Sequence, residues 1–139
     1  MIVNNITEVM IAGVYDRGIP NQERIVLFLN QAINLGQYGL MVGVRADEKR
    51  AFPIKDNLFW FGDALVNKSD WIFIYTGPGE PKSTTIPNTD AHLYSIHWGK
   101  ERTIFNHQDL VPILFRVDAV EVPLSLPALP SAAQKGGNT

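Results

Sequence analysis

The sequence predicts an all-β fold, a sandwich or barrel of short strands. Three features of the chain lead there. Its apolar runs are brief and rich in β-branched and aromatic residues. Gly 11 and Pro 9 break them up at close intervals. Only one segment carries anything like a helical stripe. Short strands with frequent turn signals are the pattern of an all-β domain.

The most explicit strand is Trp71-Ile-Phe-Ile-Tyr-Thr76, which follows the polar turn Asn67-Lys-Ser-Asp70 and stops at Gly77-Pro78-Gly79. Ile113 to Val122 alternates from Phe115 and reads as another, with Phe115, Val117, Ala119 and Glu121 on one face. Tyr38 to Val44, Leu58 to Phe61 and Thr103 to Phe105 are shorter apolar runs between turn formers. Arg45 to Arg50 mixes charges of both signs and reads as a solvated hairpin loop. Asn21 to Leu35 is ambiguous. As a helix it would place Ile25, Phe28, Leu29, Ala32 and Ile33 on one stripe, with Gly36 closing it. That leaves Val26 and Leu27 off the stripe. As strands, Arg24 to Leu29 is a run buried on both faces, and periodicity alone leaves the two readings open.

Length and composition narrow the class. A chain of 139 residues buries about two thirds of its unfolded surface, enough for one core and too little for two ordinary domains. Hydrophobic residues at 45%, charged residues at 19% and a net charge of −2 exclude both a disordered chain and a basic nucleic-acid binder. Without cysteine there is no disulfide, no thiolate metal site and no thiol nucleophile. Met1 to Met10 lacks the features of a signal peptide. The longest apolar runs, Ile25 to Leu29 among them, fall far short of the ~18 residues of a membrane span. A cytoplasmic location is the expectation. From Pro123 the chain reads PLSLPALPSAAQKGGNT, the composition of an extended, solvated tail.

Several pieces, read in series, resemble the lamin tail domain family. These are Ile6-Thr-Glu-Val9; Glu23-Arg-Ile-Val-Leu27 with Asn30, Asn34-Leu35 and Tyr38-Gly-Leu40; Trp71 through Gly79; Leu93-Tyr94; and Ile104-Phe-Asn106 with Asp109-Leu-Val111. The resemblance spans about 6 to 120 and implies an immunoglobulin-like β-sandwich serving as a binding or scaffold module. It also favours strands over a helix at 21–35. Gln37 before Tyr38 and Pro112 in the last strand depart from the family pattern. No catalytic or binding residue carries over from it.

Candidate chemistry is thin. His92, His97 and His107 fall within sixteen residues, with Asp90 and Asp109 near. His92 and His97 are five apart, which shares a face on neither a strand nor a helix, and the spacing matches no zinc signature. No serine sits in the Gly-x-Ser-x-Gly turn that presents a nucleophile. Thr76-Gly-Pro-Gly79 before Lys82-Ser-Thr84 has glycines for a phosphate cradle, but Pro78 and Pro81 delete donors, so a turn and mobile loop is expected there. Carboxylates show no paired spacing. The aromatics say more. In Phe59-Trp60-Phe61 a strand must bury both faces or turn Trp60 outward, and His97-Trp98-Gly99 ends a strand on a tryptophan.

The expectation is therefore a sandwich domain over 1–122 and a tail over 123–139. Its function is non-enzymatic binding of another protein, self-association included, with no cofactor, metal, nucleic acid or membrane. Trp60, His97, Trp98, Leu124, Leu126 and Leu129 are the partner-binding candidates. The alternatives are a structural subunit of a phage-like or other large assembly, whose arm reaches a neighbour, and a histidine-dependent metal hydrolase. An α+β fold with a helix at 21–35 is the alternative architecture.

Overall fold

The ambiguous segment is a strand. In the computed structural model, which describes residues 5–125, Ile25, Leu27 and Leu29 are fully buried on one side and Val26 is 4% exposed on the other. A run buried on both faces belongs in the middle of a sheet, and no helix could hide Val26 and Leu27 together with its stripe. The strands are β1 (Val9–Tyr15), β2 (Arg24–Leu29), β3 (Ile33–Asn34), β4 (Tyr38–Arg45), β5 (Ala51–Trp60), β6 (Leu65–Val66), β7 (Trp71–Tyr75), β8 (Lys82–Thr85), β9 (His92–His97) and β10 (Leu110–Arg116). A single 3-10 turn, Leu35–Gln37, is the only helical element among the described residues.

These strands make an all-β sandwich. One sheet has the order β1-β2-β7-β9-β8, the other β10-β4-β5, and β3 pairs with β6 at one side. The neighbours β1-β2-β7 opposite β10-β4-β5 follow the immunoglobulin-like arrangement of A-B-E against F-C-C′. One difference stands out. The place beside β7 is held by β9, which runs parallel to it, and β8 closes the sheet antiparallel to β9. Ile25, Leu27, Leu29, Ile72 and Ile74 from the first sheet meet Tyr38, Leu40 and Val42 from the second, and Phe105 and Val66 complete the core.

Three sequence expectations are corrected. The last strand ends at Arg116 instead of Val122: the Val117 N–H still donates to the opposite Gln37 carbonyl (2.7 Å), and beyond it every residue to Ser125 is exposed with no described strand beside it. Lys82–Thr85 is a strand and no mobile loop. Its four side chains are all exposed, so it carries no apolar alternation, and only its backbone pairing with β9 defines it. Thr103 to Phe105 is loop, held by hydrogen bonds to a distant carboxylate described below. Pro112 is accommodated because β10 is an edge strand, and the register runs unbroken through Pro112 opposite Val42. Of the 123–139 tail, residues 126–139 lie outside the described residues. No described helix is long and apolar enough to cross a membrane.

Candidate docking surface

Alternation along β5 decides which aromatics reach solvent. Phe59 points inward and stacks on Trp98 (5.4 Å between centroids, 22° between planes), with Phe61 edge-on at 5.8 Å. Leu58 and Trp60 point outward and are 61% and 53% exposed. The register places Leu58 beside Met41 and Met41 beside Ile113. Trp60 lies beside Gly39, and Gly39 beside Phe115. The outer face of the three-stranded sheet is thus an apolar patch crossing all three strands. Trp60 is held in place, since its indole N–H donates to the Gly36 carbonyl at 2.7 Å. Gly39 makes the patch flat. A methyl group there would lie 2.5 Å from Phe115 Cζ and 2.6 Å from the Phe59 carbonyl oxygen, so only glycine lets the Phe115 ring lie across β4.

The outer face of the five-stranded sheet is aromatic. Trp71, Phe73 and Tyr75 alternate outward along β7. Phe28 packs on Trp71 at 4.7 Å, and His97 stacks on Tyr75 at 5.2 Å. The Arg24 guanidinium lies among Tyr15, Phe73 and Tyr75 at 5.5, 5.2 and 6.0 Å and pairs with Asp16 at 2.7 Å. Sequence reasoning read the Trp71–Tyr75 strand without assigning its rings to a face; the Ile72 and Ile74 alternation was the signal available.

The other candidates are dispersed. His97 is half-buried under the Gly77–Gly79 loop, where a methyl group on Gly79 would strike its ring. Trp98 is half-buried on Phe59, with the Lys100 ammonium 5.7 Å from its ring. Leu124 is 82% exposed, and Leu126 and Leu129 lie outside the described residues. His92 projects from β9 on the face opposite His97. His107 sits in an exposed turn near Asp109 (3.7 Å). Among the described residues no three histidine, aspartate or glutamate side chains converge as a metal site would require.

Two buried carboxylates organise the loops. Glu23 accepts from the N–H groups of Gly18 (2.8 Å), Ile104 (2.7 Å) and Phe105 (3.0 Å) and from the Thr76 hydroxyl (2.8 Å). Asp70 accepts from the N–H groups of Asn67 and His92, both at 2.8 Å. Both act as structural clasps. Neither was foreseen as such, since their partners lie up to 82 residues away.

Glu8 ties the sheets together at the end of the first sheet away from Glu23. It accepts from the Tyr38 hydroxyl and, at 2.6 Å, from the Arg116 guanidinium. The Tyr38 hydrogen bond above all pulls the Glu8 carboxyl down from 4.5 to about 2, against the cost of its burial. Burial first, and Glu8 second, push Tyr38 up to about 12. Glu8 binds its proton less readily folded than unfolded, so its contribution is complete above about pH 4.5 and disappears as pH falls towards 2. Tyr38 holds its proton more tightly folded, so its contribution is complete below about pH 10 and is lost as pH rises through 12. Denaturant unfolding followed by circular dichroism should show a plateau between these limits. On the acid side about 2 kcal/mol is lost, discounted for screening because Arg116 is 42% exposed. Glu8→Gln should flatten that acid limb.

A scan of family models, a search of curated proteins and a search of solved structures each found no match.

Proposed function

We propose that this chain is a non-enzymatic protein-binding module of the cytoplasm, which engages a partner through the outer face of its three-stranded sheet. One observation carries the reading. Trp60 is exposed, fixed by its indole hydrogen bond, and set in an apolar patch of Leu58, Met41, Ile113 and Phe115. A preorganised tryptophan loses little rotamer freedom on docking and is the kind of anchor that dominates interface energetics. The partner it fits is an apolar, flat or extended segment of another protein. Kinship with lamin tail domains belongs to the same proposal. Glu23 opening β2, Asn30 following it and Thr76-Gly77 closing β7 support it.

Affinity capture from the native host, with wild-type protein beside Trp60→Ala and Leu58→Asp, is the test. Both positions are exposed, so the fold survives the change. A partner retained by wild type should bind at least tenfold more weakly to either variant, about 2 kcal/mol for a hot-spot tryptophan. Equal retention by all three proteins refutes the reading.

A further inference from the structure

Beyond Val117 the chain runs to Ser125 with every residue exposed; Val120 is 79%, Val122 75% and Leu124 82% exposed. These three recur at every second position, separated by Glu121 and Pro123. In an extended chain that spacing sets all three aliphatic side chains on one face, at intervals of about 6.6 Å. Such a stripe is a binding edge without its partner. The proline keeps to the other parity. In an extended chain the N–H groups of Val122 and Leu124 point to one side, and the donor missing at Pro123 falls on the other.

A receiving surface exists on the five-stranded sheet. Its outer face holds a groove of about 360 Å³ that runs from Trp71, Leu93 and Ile86 past Phe73 to Arg24 and Tyr15. The lining is almost wholly apolar, with one unmet demand. Arg24 Nε is buried and has no hydrogen-bond partner among the described residues. An extended, proline-interrupted segment carries unbonded carbonyls that supply the missing acceptor.

We infer that this groove takes residues 120–125 of a second copy of the chain, exchanged reciprocally about a two-fold axis. The placement of the two features argues for a second copy. The arm leaves from β10 of one sheet, whereas the groove lies on the outside of the other. Val117 is held at both its N–H (2.7 Å) and its carbonyl (3.1 Å) by Gln37, which fixes the departure point. In a symmetric pair each arm crosses to its neighbour's groove, and the contact closes. The Trp60 patch lies on the opposite sheet and stays free, so this inference and the proposed function stand or fall separately.

Light scattering on the full chain over a dilution series, with tryptophan emission followed in parallel, tests it. The wild type should be a dimer. Val122→Asp with Leu124→Asp, both at exposed positions, should weaken dimerisation at least about tenfold and shift emission to the red as Trp71 is uncovered. A synthetic peptide of residues 118–129 added to that double variant should reverse the shift. Trp60→Ala should leave the dimer intact. A wild type that is monomeric throughout overturns the inference, and so does a dimer indifferent to the arm substitutions. A monomer whose emission alone responds to them places the arm in its own groove and overturns the exchange.

Discussion

Glu23→Ala should unfold the domain under mild conditions, with a loss of about 4 kcal/mol or more. The substitution removes an acceptor from four donors at once. Those on Phe105 and Thr76 are buried, and those on Gly18 and Ile104 partly so. A buried donor left without an acceptor costs about 1–3 kcal/mol, and bonds to a charged acceptor lie at the upper end. The damage spreads, because the same loop places Phe105, which is fully buried in the core. Glu23→Gln is the informative companion. Its carbonyl keeps one acceptor while its amide turns N–H towards N–H, so about half the loss should remain. Guanidinium titration reads both through the midpoint, with an unchanged slope showing that the unfolded state is the same. A loss below about 1 kcal/mol for Glu23→Ala would show that the clasp does not hold the loop.

Gly39→Ala should cost about 3 kcal/mol, well above the usual effect of adding a methyl group in a strand. The new methyl meets Phe115 Cζ at 2.5 Å and the Phe59 carbonyl oxygen at 2.6 Å. The ring can swing away, but the carbonyl belongs to the paired strand and moves only with the sheet. The expected readouts are a lower unfolding midpoint and, as Phe115 is displaced, weaker partner capture through the Trp60 face. Phe115→Ala in the Gly39→Ala background should recover part of the stability, since it removes one of the two collisions. No recovery would assign the whole cost to the backbone contact.

Much of the architecture was legible because burial writes itself into composition. Ile72 and Ile74 turn inward between three rings, so Trp71–Tyr75 read as a strand, and the sandwich followed from such runs broken by turns. Three consecutive rings cannot share one face, which leaves Trp60 either under a second covered face or outward, and only the structure turns it outward. Other elements left no such mark. β8 is a strand by virtue of its neighbour's backbone, and its side chains say nothing of it. The apolar residues past Arg116 change face between Ala119 and Val120, and an alternating pattern says nothing of what covers it. The Glu23 clasp joins residues 81 and 82 positions apart, so nothing in the surrounding sequence signals it.

The parallel neighbours β7 and β9 set the order in which this molecule can be assembled. As the chain leaves the ribosome, β8 emerges before the strand that separates it from β7, and it must wait for β9 to form a hairpin that docks as a block. The second sheet waits longer, because β4 lacks β10 until residue 116 is out. Closure therefore comes late and through distant pairings, which places the domain among slow folders. A nascent chain halted before β10 lacks the inward-packed Leu110 and Leu114 and leaves one edge of β4 unpaired, a substrate for chaperones rather than a smaller version of the fold.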